Sequence, residues 1–161
     1  MPSMSLEGFI AHIAGAIAET AVTEHEALEA AAKRIERRAK AGIGTYQEAA
    51  GPFAEWAELA DSTKDDRVRQ GYDENEPGLR EGDMRDSIEH VVGDREATIG
   101  SNDDHLVYFE LGTEHQPPRS VLGIAAVNEG EAVARIIGAG AVKTLVGEAV
   151  ANRAFPIPSD H

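Results

Sequence analysis

The chain has 161 residues, which corresponds to one domain of ordinary size, and 42% of its residues are hydrophobic and 27% charged. It contains no cysteine, which excludes a disulfide framework, a thiolate zinc site, an iron–sulfur cluster and a cysteine nucleophile. The 29 acidic residues outnumber the 15 basic ones and give a net charge of −14, which opposes tight binding to a nucleic-acid backbone.

Apolar residues recur at helical spacing from Leu6 to Ile35, and no proline interrupts them. Gly42 and Gly44 mark the end of this pattern. We therefore predict one long amphipathic helix over residues 5–40, with a single break near residues 20–23 as the alternative. Its last turns hold the one basic patch of the chain, which suits the negative pole of the helix dipole and offers a docking surface for an acidic partner: Lys33, Arg34, Arg37, Arg38 and Lys40.

Residues 41–78 are predicted to be a connector that contains a short helix. Phe53, Trp56 and Leu59 recur every three residues, which favours a helical turn there. Residues 71–78 combine glycine, proline and acidic side chains, as a surface loop does. The N-terminal residues lack the basic start and apolar run of a signal peptide, and no stretch has the composition of a membrane span.

The sequence predicts a hairpin over residues 79–101, with residues 93–95 at its turn and Met84 and Ile88 facing inward. A short apolar segment around Glu110 follows. Residues 112–119 form a loop that begins at Gly112, expected to adopt a positive φ angle, and that holds two consecutive prolines. Ser120 is expected to cap a last helix over residues 120–152, with an apolar face of Leu122, Ala126, Val133, Ile136, Ile137, Leu145 and Val150.

Long helices at both ends and a hairpin between them indicate the α+β class, with the N-terminal and C-terminal helices packed on a small antiparallel β-sheet. We expect a single domain over residues 1–154 and a flexible tail over residues 155–161. The acidic charge is concentrated in the middle of the chain. Residues 54–104 hold 16 acidic and 6 basic side chains, a net charge of −10.

No residue pattern predicts a metal or cofactor site. The six histidines include no pair at the spacing that places two ligands on one helix face. Residues 136–142 resemble the start of a dinucleotide fingerprint, but Lys143 stands where its third glycine belongs. We therefore expect no cofactor, and we expect Gly138 and Gly140 to let a neighbouring segment approach the helix.

Glu110 lies within an apolar run, where a carboxylate can serve as an acid or base. No second catalytic group accompanies it in the motif. We therefore expect a structural role, with Glu110 accepting backbone N–H bonds from residues 112–113 or pairing with Arg119. The chain is accordingly predicted not to be an enzyme.

Two segments together carry an ordered set of motifs. The first runs from Trp56 through Thr63 and Gly71 to Gly78-Leu-Arg-Glu-Gly-Asp-Met-Arg-Asp-Ser-Ile88. The second is Tyr108-Phe-Glu-Leu-Gly-Thr113, followed by Pro117-Pro-Arg-Ser-Val-Leu122. In order and spacing, residues 53–127 resemble the tailed-phage neck proteins of the tail-completion, head–tail joining or virion morphogenesis family, which also occurs in prophages and gene transfer agents.

The resemblance implies a structural subunit of a phage or phage-like particle, assembled in the bacterial cytoplasm as part of a ring around the DNA channel. Its implied partners are copies of itself and the neighbouring neck (connector or adaptor) and tail proteins, without tight nucleic-acid binding, although DNA passes nearby, and without a membrane. The alternatives are a small cytosolic enzyme that uses Glu110 with His105 or His115, and a soluble regulatory module that binds a protein through its N-terminal helix. The family-motif residues, expected at subunit or partner contacts, are Trp56, Leu79, Gly82, Met84, Arg85, Ser87, Ile88, Tyr108, Glu110, Gly112, Thr113, Pro117, Pro118, Arg119 and Leu122.

Overall fold

A computed structural model of the chain describes residues 6–146 and contains five helices and two strands within that range. The strands pair as an antiparallel hairpin, and helices pack against it, so the predicted α+β class is confirmed. The end of the predicted last helix and the predicted flexible tail lie outside the described residues. The elements are α1 (Leu6–Gly42), α2 (Asp61–Arg69), α3 (Asp83–Asp86), β1 (Ile88–Val92), β2 (Ala97–Ser101), α4 (Asp104–Leu111) and α5 (Leu122–Val146).

The chain forms two compact units, and α1, α5 and the hairpin contribute residues to both. The first unit contains the described residues within Met1–Ala31, Val92–Ala97 and Glu131–His161. The second unit comprises Ala32–Val91 and Thr98–Gly130.

The hydrophobic core of the second unit joins residues from α1, α3, β1, α4 and α5 with two residues of the connector, Ile43 and Trp56, and with Val121 just before α5. Ile88 at the start of β1 is completely buried, and Met84 on α3 is nearly so, as the sequence predicted. Half-buried side chains, among them Leu79, Phe109 and Leu122, close the core at its edge. Its buried members are Ala39, Ile43, Trp56, Met84, Ile88, Leu106, Val121, Ile124 and Ala125.

Helix α1 is continuous over 37 residues, so the alternative of a break near residues 20–23 is wrong. In the second unit its flanks are tied to neighbouring elements by charged groups. Arg34 pairs with Glu129 of α5, and Glu36 bonds both Lys40 and His90 of β1. Burial raises the pKa of Glu36, but the hydrogen bonds and positive charges of Lys40 and His90 bring it below its usual value.

In the first unit, Ala31, Ile136 and Ala139 are buried where α1 meets α5. A Cβ atom at Gly140 would lie 2.9 Å from the Cβ of Ala27, so the expectation that this glycine allows close approach is confirmed. At Gly138 an added Cβ would meet nothing within 4 Å, and the same expectation is wrong there.

The short helix of the connector lies later than predicted. Residues 54–60 form no helix, because the N–H of Trp56 donates to Gln47 (2.8 Å) and that of Leu59 to the Tyr46 hydroxyl (3.2 Å). The helix is α2, whose sequence is almost entirely polar and whose one buried residue is Arg67. Without apolar periodicity, α2 gave no signal in the sequence.

Two further segments differ from the prediction. The hairpin strands begin only at Ile88, and the lead-in residues 83–86 form the helical turn α3. The apolar segment around Glu110 is the helix α4, which begins where the Asp103 carboxylate accepts the N–H of His105 at 2.9 Å. Each segment is too short for its period to be read reliably from the sequence.

The buried face of α5 also differs from the prediction. Ile136 is buried as expected, but Ala126 and Ile137 are exposed. Over residues 122–142, whose side chains the structure describes, the buried positions are Ile136, which was predicted, and Ile124, Ala125 and Ala139, which were not. Because α5 is apolar on more than one side, the sequence alone did not identify which side packs inward.

Replacing Ile88 with alanine should lower the free energy of unfolding by about 2–5 kcal/mol, because a completely buried side chain leaves a cavity. Val91→Ala is the matched control, since Val91 lies in the same strand but is 70% exposed, and its effect should stay within about 0.5 kcal/mol. Urea denaturation of both variants measures the difference. Equal losses would show that Ile88 does not anchor the core.

Candidate functional site

The two motif segments interlock in the second unit. The indole Nε1–H of Trp56 donates to the carbonyl of Ser120 at 2.9 Å, although 64 residues separate them. The Trp56 ring meets the Phe109 ring edge to face, with 5.6 Å between centroids and 73° between planes. The second segment therefore supplies both partners of the buried Trp56 side chain.

Arg119 reinforces this junction from the other direction. Its guanidinium is buried, donates to the carbonyls of Ala57 (2.9 Å) and Glu58 (3.0 Å), and lies 5.7 Å from the centroid of the Phe109 ring. Burial lowers the pKa of this guanidinium, which remains charged near neutral pH. The expected pairing of Arg119 with Glu110 is wrong, because its donors serve the extended connector instead.

The Glu110 carboxylate caps the start of α5. One oxygen accepts the backbone N–H groups of Val121 (2.6 Å) and Leu122 (2.9 Å). The other accepts the N–H of Gly123 (3.0 Å) and the hydroxyl of Ser120 (2.6 Å). These N–H groups belong to the first turn of a helix, which has no acceptors of its own.

Two expectations about this turn are therefore wrong. The N–H groups of Gly112 and Thr113 donate to the carbonyls of Tyr108 and Gln116, not to Glu110. The Ser120 hydroxyl donates to Glu110, so α5 is capped by a distant carboxylate and not by Ser120.

Gly112 ends α4 with φ of +75°, as predicted, and opens the loop of residues 112–119. A Cβ atom there would lie 2.8 Å from the nitrogen of Pro118 and 2.9 Å from the oxygen of Gln116. The loop folds back on itself through an antiparallel bridge between Thr113 and Gln116. Its shape is therefore determined by its own backbone and by two prolines.

Beside this loop lies a groove of about 660 Å³. Apolar and aromatic side chains contribute much of its wall, including Met84, Tyr108 and Phe109. Acidic side chains also line it, and the lining further includes both histidines proposed for the enzymatic alternative. Its charged and histidine lining residues are Glu58, Arg67, Arg80, Glu81, Asp83, Asp103, His105, His115 and Arg119.

The structure divides the motif residues into two groups. Trp56, Met84, Ile88 and Arg119 are buried, and Leu79 and Leu122 pack against the core. Arg85 pairs with Asp86 at 2.8 Å, while the Ser87 hydroxyl donates to the Met84 carbonyl and also bonds Ser101. Gly82, with φ of +97°, precedes α3, and the exposed members are Tyr108, Thr113, Pro117 and Pro118.

One residue that shapes the groove was missed in the sequence. Arg67 on α2 is buried and donates to the carbonyls of Asp73 and Leu79, both at 2.6 Å. It thereby holds the acidic loop against α2. An arginine in a polar helix has the pattern of a solvated surface, so only the fold reveals its role.

Glu110 does not line the groove, whereas His105 and His115 do. The structure therefore does not bring Glu110 and these histidines together within the groove. Among the side chains that the structure describes, no group of three or more histidine, cysteine or acidic residues is placed to hold a metal ion. Over the same described range, no helix has the length and apolar character to cross a membrane.

Comparison of the chain with protein-family models, curated proteins and solved structures found no match.

Replacing Glu110 with alanine should lower the free energy of unfolding by about 1.5–3 kcal/mol, because four donors at the start of α5 lose a charged acceptor. Glu110→Gln should cause an intermediate loss, since one amide oxygen still accepts. The exposed Glu114, in the following loop, provides the control Glu114→Ala, which should change little. Urea denaturation measures the free energy of unfolding of each variant. An unchanged value for Glu110→Ala would contradict the capping role.

Gly112→Val should destabilise the fold by about 1–3 kcal/mol, because valine at φ of +75° is strained and its Cβ meets backbone atoms. Gly71→Val separates these two causes. Gly71 has φ of +84°, but an added Cβ there meets nothing within 4 Å, so its loss should be the smaller. Melting temperatures of the two variants provide the comparison. An unchanged melting temperature for Gly112→Val would contradict the loop geometry.

Proposed function

We propose that this protein is a structural subunit of a phage or phage-like particle. It completes the head–tail junction as one of several copies in a ring around the DNA channel. It assembles in the bacterial cytoplasm and works within the particle, beside other neck and tail proteins. The observation that carries the proposal is the interlocking of the two segments whose motifs resemble head–tail joining proteins.

That interlocking gives the motif residues two distinct roles. Trp56 and Arg119 serve the fold through contacts between segments far apart in sequence, and Glu110 serves it by capping the helix that follows its loop. Tyr108 and Pro117 are exposed in the lining of the groove, and Pro118 is exposed next to it in the chain. This division suits an assembly subunit. Some residues of its motif must stabilise a rigid fold, and others must present a surface to a partner.

The loop of residues 112–119 is suited to docking. It is restrained by the Thr113–Gln116 bridge and by Pro117 and Pro118, and most of its side chains are exposed. A loop that is already ordered loses less conformational entropy when a partner binds. We therefore assign this loop to a contact with a neighbouring subunit or neck protein.

The charge of the chain suits a position beside the genome. With a net charge of −14, the surface repels a phosphate backbone, so DNA can slide past without being held. We place the protein among structural subunits and not among enzymes because both Glu110 oxygens are bonded to the start of α5. That carboxylate is the group that the enzymatic alternative requires.

Deleting the gene should leave heads and tails that assemble separately but do not join, or that join unstably. Electron microscopy of the lysate should then show DNA-filled or leaky heads and free tails. Purified protein added to this extract should restore joining, because docking surfaces that are preformed need no further folding. A deletion strain that yields normal numbers of joined, infectious or transducing particles would refute the proposed function.

In the same extract, the double variant Pro117→Gly/Pro118→Gly should restore joining poorly while still folding. Each proline removed adds about 0.4–1 kcal/mol of ordering cost, and the cost recurs in every copy of a ring. Pro52→Gly is the control, since Pro52 is exposed but lies outside the loop and the groove. Full activity of the double variant would remove the loop from the interface while leaving the function itself in place.

A further inference from the structure

The last turns of α1 carry cations that the fold does not use. Arg34 and Lys40 are paired with glutamates, and Arg67 and Arg119 bond backbone carbonyls. Among lysines and arginines whose side chains the structure describes, those with neither an ion pair nor a hydrogen bond are Lys33, Arg38 and Arg95. Two of these three lie five residues apart on α1, in the second unit.

The groove in the same unit offers unpaired carboxylates, while the arginines in its lining, Arg67, Arg80 and Arg119, are bonded to backbone carbonyls or to Asp66. The exposed Asp83 side chain has a carboxylate with no bonded partner, and the carboxylate of Glu81 bonds only the hydroxyl of Tyr72. The aromatic rings of Tyr108 and Phe109 line the same groove. An arginine side chain fits such a place, because its stem packs on apolar surface while its guanidinium meets carboxylates and ring faces.

Other unpaired acids, such as Glu55 and Asp65, are exposed and lie outside the lining of this groove. An ion pair that stays in solvent contributes little to the free energy of binding, because water and salt screen it. A concave site with an apolar wall removes the pair from solvent. Charge and shape together therefore favour the groove over these two positions as the acceptor of an unpaired arginine.

We propose that the groove binds the basic end of α1 from a second copy of this chain, with Arg38 of one copy beside Asp83 of the next. Two copies with a net charge of −14 repel each other in most orientations, so contact is favoured where positive charge meets negative charge. The two surfaces share no residue, so one copy can give its basic end to one neighbour and its groove to another, and a contact made in this head-to-tail way can repeat. This proposal rests on the proposed function, because it specifies the contact between neighbouring subunits of the ring.

Sedimentation of the purified full chain at low ionic strength tests this contact. The unmodified chain should self-associate, and the association should weaken as salt is added. Arg38→Glu and Asp83→Lys should each weaken it at least about tenfold, because like charges then face each other. The double variant Arg38→Glu/Asp83→Lys should recover it, since the pair is restored with its charges exchanged.

Matched controls keep the test specific to the groove. Arg95→Glu and Asp65→Lys change the net charge by the same amounts at exposed positions outside it, and they should leave association unchanged. Circular dichroism checks that every variant is folded. If Asp83→Lys does not fold, Tyr108→Ala, at a half-exposed position in the groove wall, replaces it and should weaken association in the same way.

Several outcomes would overturn the proposal. These are an unmodified chain that stays monomeric at its highest soluble concentration, variants that associate normally, and a double variant that does not recover. A groove variant that fails in head–tail joining while self-association persists would assign the groove to a different protein. Failure of the deletion experiment would refute the particle role alone, because charge-dependent association would still be measured on the purified chain.

Discussion

The Glu110 carboxylate is the interaction on which the rest of this site depends. It lies on α4 and accepts four donors at the start of α5, so it joins two helices that the chain connects through an irregular loop. A charged acceptor makes stronger hydrogen bonds than a neutral one, and it is also favoured at the positive end of a helix dipole. The position of α5 relative to α4 is thereby fixed within the second unit.

The loop and the groove follow from that constraint. With both ends of residues 112–119 held, Gly112 must turn the chain sharply, and Arg119 is directed back toward the connector. Trp56 and Phe109 then close the space beneath it. The same short motif thus sets the fold and leaves Tyr108 and the two prolines facing outward.

Periodicity was sufficient to predict the long elements. Helix α1 and the body of α5 have apolar patterns that repeat over several turns, and the sequence of β2 alternates over five residues. Helix α2 was misplaced because its inward-facing side chain is Arg67, so its burial leaves no apolar repeat. A short helix whose core contact is a guanidinium has the same sequence pattern as a solvated segment.

The partners of Glu110 could not be predicted for a different reason. A sequence shows where a carboxylate is, but the oxygens of Glu110 accept mainly backbone N–H groups. Every residue other than proline carries such a group, so the sequence does not show which ones will donate. The positive φ angle of Gly112 was predictable, because only glycine adopts such an angle freely. The groove could not be predicted, because its lining comes from segments that approach each other only when the fold is complete.

The long reach of the contacts around Trp56 and Arg119 bears on the order in which the molecule folds. They join residues 61 to 64 positions apart, so a large loop must close before any of them contributes stability. Contacts of this separation slow folding and belong to its late steps. We therefore expect the groove to form only after the second unit has folded, so a nascent or partly unfolded chain would present no docking surface and would not enter an assembly prematurely.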